Sequence, residues 1–92
     1  KARADICFLG VGGISKNGIS TYALPETAVN RVILERTTGH RIIVTEGFKV
    51  GRDSNFHTAD CNMITHLITD HTADPETVAY LKSIGVKVIF IS

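Results

Sequence analysis

The sequence predicts an α/β domain, a mostly parallel sheet of about four strands carrying two main helices. Three observations predict it. Four apolar runs, Ile6–Val11, Arg41–Val44, Ile64–Ile68 and Val86–Ile91, are short and nearly continuous, as in strands buried between two layers. Two intervening segments show helical spacing, each opened by a proline and an acidic residue and followed by a glycine. Strands and helices alternate, which implies βαβ units.

In chain order the expected elements are a strand over 5–11, a glycine loop over 12–22, a helix over 25–38 and a strand over 41–46. A loop over 47–59, a short turn or helix over 60–63, a strand over 64–69, a helix over 74–84 and a strand over 86–91 complete it. The first helix begins after Ala23-Leu24 at Pro25, with Glu26 near the positive end of its dipole. Ala28, Val32 and Leu34, with Val29 and Ile33, supply an apolar stripe, and Gly39 is the expected stop. The last helix has Asp74 as N-cap, Pro75 at its first position and Glu76 in its first turn. Val78, Leu81 and Ile84 are its expected core face, and Gly85 ends it.

The chain has 92 residues, the size of one small domain, and residues 1–92 are expected to be a single-domain fragment. A domain of this size buries only about 60–65% of the surface its unfolded chain exposes. Hydrophobic residues make up 43%. Four doubly apolar strands exceed what two helices can cover. The expectation is part of a larger α/β domain, or a face packed on a partner chain. Lys1 stands barely ahead of a core strand, as in the middle of a longer unit.

Ten basic and nine acidic residues give a net charge of +1, without the clustered basic face that DNA or RNA binding needs. No apolar run approaches the roughly 18–20 residues of a membrane span. The opening Lys1-Ala2-Arg3-Ala4-Asp5 leads into too short an apolar stretch for a secretory signal. Cys7 and Cys61 have no paired spacing and read as two reduced thiols in a cytoplasmic protein.

Two loops leave the carboxyl ends of predicted strands, the edge where open α/β sheets bind ligands. The first carries Gly10, Gly12, Gly13, Lys16, Gly18, Ser20 and Thr21. Its glycines would let a phosphate or sugar approach the backbone, or would simply form tight turns. It lacks the third glycine of a dinucleotide fingerprint, where Ser15 stands, and it holds no Gly-Lys-Ser/Thr. The second loop reads Thr45-Glu46-Gly47-Phe48-Lys49-Val50-Gly51-Arg52-Asp53-Ser54. Lys49 brings a compact charge, Arg52 a planar fork for phosphate oxygens, and Glu46 an acceptor for hydroxyls. His57, His66 and His71 show no metal-ligand spacing, and no motif activates Ser15, Ser20, Thr21 or Cys61 as a nucleophile. No metal, cofactor or catalytic residue is expected.

Read together, Ala4-Asp5-Ile6-Cys7-Phe8-Leu9-Gly10-Val11-Gly12-Gly13-Ile14, Gly18-Ile19-Ser20-Thr21, Glu26-Thr27-Ala28-Val29-Asn30-Arg31, Phe48-Lys49-Val50-Gly51-Arg52 and Leu67-Ile68-Thr69-Asp70 resemble the C-terminal effector domain of DeoR-type bacterial repressors. The resemblance implies the later half of a domain similar to ribose-5-phosphate isomerase and glucosamine-6-phosphate deaminase. It implies a phosphorylated sugar as effector, operator DNA bound through an N-terminal helix-turn-helix rather than through these residues, and a homo-oligomer. The ligand set expected on this basis is Gly10, Gly12, Gly13, Lys16, Thr21, Glu46, Lys49 and Arg52. Three departures stand out. Gly12 replaces an aspartate, Glu46-Gly47-Phe48-Lys49 replaces Asp-Ser-Ser-Lys, and Asn30 replaces a lysine. Without the carboxylate at position 12 a general base is missing, which favours sensing without turnover. The alternatives are an isomerase or deaminase using Glu46 as its base, and an oligomerisation module with a degenerate pocket.

Overall fold

In the computed structural model, which describes residues 3–91, two sheets stack around one apolar core. The larger is parallel, in the order β1 (Ala4–Leu9), β4 (Thr37–Val44), β6 (His66–Thr69) and β7 (Lys87–Phe90). The smaller is antiparallel and joins β2 (Gly13–Ser15), β3 (Gly18–Thr21) and β5 (Phe56–Ala59). Two helices complete it, α1 (Leu24–Arg36) and α2 (Pro75–Ser83). The fold is α/β with a four-stranded parallel sheet. Lys1 and Ala2, which open the sequence read above, lie outside the described residues.

Register decides which side chains share a face, because successive residues of a strand point to opposite sides. Leu9 lies beside Ile43, Ile43 beside Leu67, and Leu67 beside Val88. Together with Cys7 and Phe90, this face packs on Leu34, Val78, Leu81, Ile14 and Ile19. The opposite face runs through Phe8, Ile42, His66 and Lys87 in one row and through Val44, Ile68 and Ile89 in the next. Ile6, Phe8, Val44, Ile89 and Ile91 are exposed. The strands are apolar on both faces but covered on one among the described residues. This is the shortfall expected from four such strands and two helices.

The 12–22 segment is not a loop. It folds as the β2–β3 hairpin, because Ile14 and Ile19 face each other and are fully buried in the core. Its turn closes at Gly18, whose φ of +119° suits glycine. The expected 47–59 loop likewise contains a single 3-10 turn, Gly47–Lys49, and then β5.

The first helix ends before Gly39. Thr37 terminates it by donating its N–H to the Leu34 carbonyl and its hydroxyl to the Ile33 carbonyl (2.7 Å), and the chain enters β4 directly. Gly39 lies inside β4, where a Cβ would stand 2.1 Å from the Asp5 carbonyl oxygen. The buried face of α1 is also not the expected stripe. Thr27, Asn30 and Leu34 face inward, while Ala28, Val29 and Val32 are exposed. The Thr27 hydroxyl sits in a polar knot with Thr21 Oγ1 (2.5 Å), Thr58 Oγ1 (3.2 Å) and the Phe56 carbonyl (3.4 Å). That knot satisfies polar groups that would otherwise be buried unpaired, at about 1–3 kcal/mol each, and it orients the helix against its apolar pattern.

The second helix matches its signals more closely. Asp74 caps it by accepting from the Thr77 N–H (3.0 Å) and hydroxyl (2.7 Å), a contact of about 1 kcal/mol. Val78 and Leu81 are buried, but Ile84 is exposed at the helix end and does not join the core.

Candidate functional site

The segment after β4 is fastened at two points. The Gly47 N–H donates to Asp70 Oδ2 (3.0 Å), and Asp70 Oδ1 accepts the Thr72 N–H (2.8 Å) and hydroxyl (2.5 Å). These bonds, those from Thr72 foremost, hold the Asp70 carboxyl below its usual pKa. A side chain at Gly47 would meet Asp70 Oδ1 and Thr72 Oγ1 at 2.4 Å, so only glycine fits this approach. Further on, Val50 bridges to Ile14, and the Gly51 N–H donates to the Ile14 carbonyl (2.7 Å). The carboxylate thus ties the turn after β4 to the turn after β6, and the Val50 bridge ties it to the hairpin.

Between and beyond these fastenings, Phe48 and Arg52 stand outward and Lys49 is half-buried beside them. The Phe48 ring is 58% exposed. Lys49 Nζ lies 5.8 Å from its centroid and the Arg52 guanidinium 5.7 Å from it, both within cation–π range. Lys49 also pairs with Glu46 (3.4 Å), and Arg52 donates to the Tyr22 hydroxyl (2.5 Å). A hydrogen bond with its own backbone, and then the Lys49 ammonium, hold the Glu46 carboxyl below its usual value.

The glycine segment meets this loop but presents little to solvent. The Gly12 N–H is committed to the Ser20 carbonyl (2.8 Å). A Cβ on Gly12 would lie 2.9 Å from Ser54 Oγ and 3.2 Å from the Tyr22 ring, and one on Gly13 would lie 2.4 Å from the Arg52 carbonyl oxygen. Both glycines serve close packing between the two segments. A continuous run of contacts, Gly12–Tyr22–Arg52–Phe48–Lys49, therefore joins them on one side of the molecule. Gly10 is exposed, with no other atom within 4 Å of where a Cβ would stand.

Two residues of the expected ligand set fall elsewhere. Thr21 is fully buried, with its hydroxyl bonded to the Ala23 carbonyl (3.0 Å) and to Thr27, so it has nothing to offer a ligand. Lys16, at the hairpin turn, lines a cavity of about 360 Å³ with Asp60, Cys61, Asn62, Tyr80 and Ile84, facing the later half of α2. Near that turn Asp53 accepts from Ser15 Oγ (2.5 Å) and Asn17 Nδ2 (3.0 Å), contacts that lower its pKa and anchor the hairpin to the loop.

Sequence reasoning missed Tyr22, Phe48 and Ser54 as rim residues. Ser54 Oγ, next to Gly12, is buried without a hydrogen-bond partner among the described residues, as are Thr45 Oγ1 and Thr69 Oγ1 at the ends of β4 and β6. These threonines, with Val44, Glu46, Ile68, Asp70 and Ile91, line a cavity of about 250 Å³. Among the described residues no three His, Cys, Asp or Glu side chains cluster as a metal site would require. Cys7 and Cys61 are free and buried, and burial raises the Cys61 thiol pKa. Among the described residues no helix is long and apolar enough to cross a membrane.

The fastened, cation-bearing turn lies at the carboxyl edge of the parallel sheet, the edge at which open α/β sheets hold their ligands. The chain belongs to the DeoR C terminal sensor domain family, whose model matches residues 1–71. The match covers the sheet through β6 and every rim residue named above, while α2 and β7 lie beyond it. No curated protein matches the chain.

Proposed function

We propose that this chain is the effector-sensing part of a cytoplasmic transcriptional regulator and binds a phosphorylated sugar at the rim formed by Gly10, Glu46, Phe48, Lys49 and Arg52. The observation that carries the reading is the placement of Lys49 and Arg52, each within 6 Å of the Phe48 ring centroid, on a turn fastened through Gly47 and Val50. A fastened turn places its charges before ligand arrives, which lowers the ordering cost of binding. Glu46 is positioned to accept from sugar hydroxyls. Operator DNA would be bound by a separate helix-turn-helix, and the domain would work within a homo-oligomer. Effector would act by favouring one arrangement of subunits, which requires it to bind that arrangement more tightly.

The rim suits binding better than turnover. The position where related enzymes carry an acidic group is Gly12, and Ser54 and Tyr22 occupy the space around it. Glu46 would have to act as the base instead. Its carboxyl is held low by its backbone and by Lys49, the opposite of the raised value a base working near neutral pH needs.

Calorimetric titration of the full-length protein with a panel of pentose and hexose phosphates tests the reading. Saturable binding to at least one member, lost in Lys49→Met, supports it. A folded protein that binds no member contradicts it, and turnover of a sugar phosphate abolished by Glu46→Gln would assign an enzyme instead.

A further inference from the structure

We infer that the effector is bound as a closed-ring sugar phosphate, with the apolar C–H face of the ring laid on Phe48; this rests on the rim being the phosphate site. Phe48 is the largest exposed apolar surface on that rim, and its backbone is fixed from both sides, by Asp70 at Gly47 and by the Val50 bridge to Ile14. The Lys49 and Arg52 cations, each under 6 Å from the ring centroid, would hold the phosphate at its border. A ligand anchored there must extend over the aromatic ring or away from the protein.

The groups beside Phe48 decide between two forms of the sugar. An open-chain sugar carries a hydroxyl on nearly every carbon, directed to all sides, and needs polar partners on all sides. Gly47 has no side chain and its N–H is taken by Asp70. The Gly12 N–H is taken by Ser20, and the Tyr22 oxygen already accepts from Arg52. A hydroxyl pressed on Phe48 would lose its water without replacement, at about 1–3 kcal/mol for each unpaired group. A closed pyranose ring gathers its hydroxyls around its perimeter and leaves a flat patch of C–H groups. That patch matches an aromatic face, and Glu46 lies within the same turn to accept from the perimeter. With Gly12 in place of a carboxylate, the rim also lacks a group at that position to drive ring opening.

Calorimetry on the full-length protein with three probes tests this: a ring-locked anhydrohexitol phosphate, an open-chain hexitol phosphate, and inorganic phosphate. The ring-locked probe should bind at least tenfold more tightly than the open-chain probe. Phe48→Ser should erase that ratio, and Phe48→Tyr should keep it. Equal or tighter binding of the open-chain probe overturns the inference, as does a ratio that survives Phe48→Ser. A lower melting temperature with an unchanged ratio in Phe48→Ser would assign the ring to packing against another part of the protein, and also overturns it. If the rim itself is misread, none of the three probes binds the wild type and Lys49→Met changes nothing. That outcome removes both readings and is distinct from loss of ring preference alone.

Discussion

The hairpin that follows β1 and the turn that follows β4 begin alike in sequence and end differently in structure. Both leave the carboxyl edge of the parallel sheet, and both carry glycines, a lysine and hydroxyl or charged residues. In the hairpin the polar groups that face inward are answered. Gly12 N–H reaches Ser20, Thr21 reaches Ala23 and Thr27, and Ser15 reaches Asp53. In the turn the backbone is answered by Asp70 and Ile14, while Phe48 and Arg52 remain outward and Lys49 is half-buried beside them. A glycine-rich segment at the right edge of an α/β sheet is therefore not by itself a ligand loop. Here its glycines let the turn after β4 pack close against it.

The largest expected effect on folding stability falls on the packed segment. Gly13→Ala drives a methyl group into the Arg52 carbonyl oxygen, 2.4 Å from its required position. Such overpacking costs about 1–3 kcal/mol, which lowers the melting temperature of a domain this size by roughly 4–8 °C per kcal/mol. Gly10→Ala, with no neighbour to strike, should leave the melting temperature within about 2 °C of wild type, a shift smaller than that of 0.5 kcal/mol. Circular dichroism melts of the full-length variants measure both. Equal losses at the two glycines would remove the distinction between packed and open backbone.

The outward turn should show the opposite profile. Lys49→Met and Arg52→Met each remove a charge-assisted contact of about 1.5–3 kcal/mol to a bound phosphate, a loss of roughly ten- to a hundredfold in affinity. Folding stability should move by less than about 0.5 kcal/mol, because neither side chain is buried and the Lys49–Glu46 pair is partly exposed. Calorimetry and melts on the same samples separate the two effects.

Next in size is Gly12→Asp, which restores the acidic residue the resemblance leads one to expect. The new Cβ would lie 2.9 Å from Ser54 Oγ and 3.2 Å from Tyr22, both side chains able to give. A loss of about 1 kcal/mol is expected, with no isomerase or deaminase activity gained in a sugar-phosphate turnover assay.

The smallest effect is on the acid limb of stability. Asp53 fastens the hairpin and Asp70 the turn, and hydrogen bonds hold both carboxyls below their ordinary value of 3.8. A carboxyl with a depressed folded-state value contributes stability that is complete above the unfolded value and is lost as pH falls through the folded one. Unfolding midpoints should therefore decline as pH drops below about 4. Asp70→Asn should flatten that decline, while also lowering stability at neutral pH because Thr72 and Gly47 lose a charged acceptor. His66 acts in the same direction at higher pH. Burial and then the nearby His40 and Lys87 lower its pKa from 6.5, so its neutral form is favoured by folding and stability is lost as pH falls through that range.

Much of this architecture can be read from the chain. The strands of a parallel sheet write themselves as continuous apolar runs, and Asp74-Pro75-Glu76 announces a helix start by local chemistry alone. The hairpin escapes because β2 and β3 are three and four residues long and each offers one large apolar side chain, Ile14 and Ile19. The buried face of α1 escapes because Thr27 and Asn30 face inward through long-range partners, Thr58 and Gly10, which no periodicity encodes. At the rim, Lys49 and Arg52 are visible as charges next to glycines. Tyr22 and Ser54 are not, since each acquires its place from a segment distant in sequence. Phe48 reads as an ordinary apolar residue until its exposure and its two nearby cations are known.

The division between an answered hairpin and an outward turn has a direct readout in amide chemical shifts of the full-length protein, followed as the tightest-binding sugar phosphate is titrated in. The largest perturbations should fall on Gly10 and on the amides from Glu46 to Asp53, with the hairpin from Gly13 to Thr21 nearly unmoved. Perturbations centred on Gly12, Gly13 and Ser15, with a silent Phe48–Arg52 turn, would contradict it.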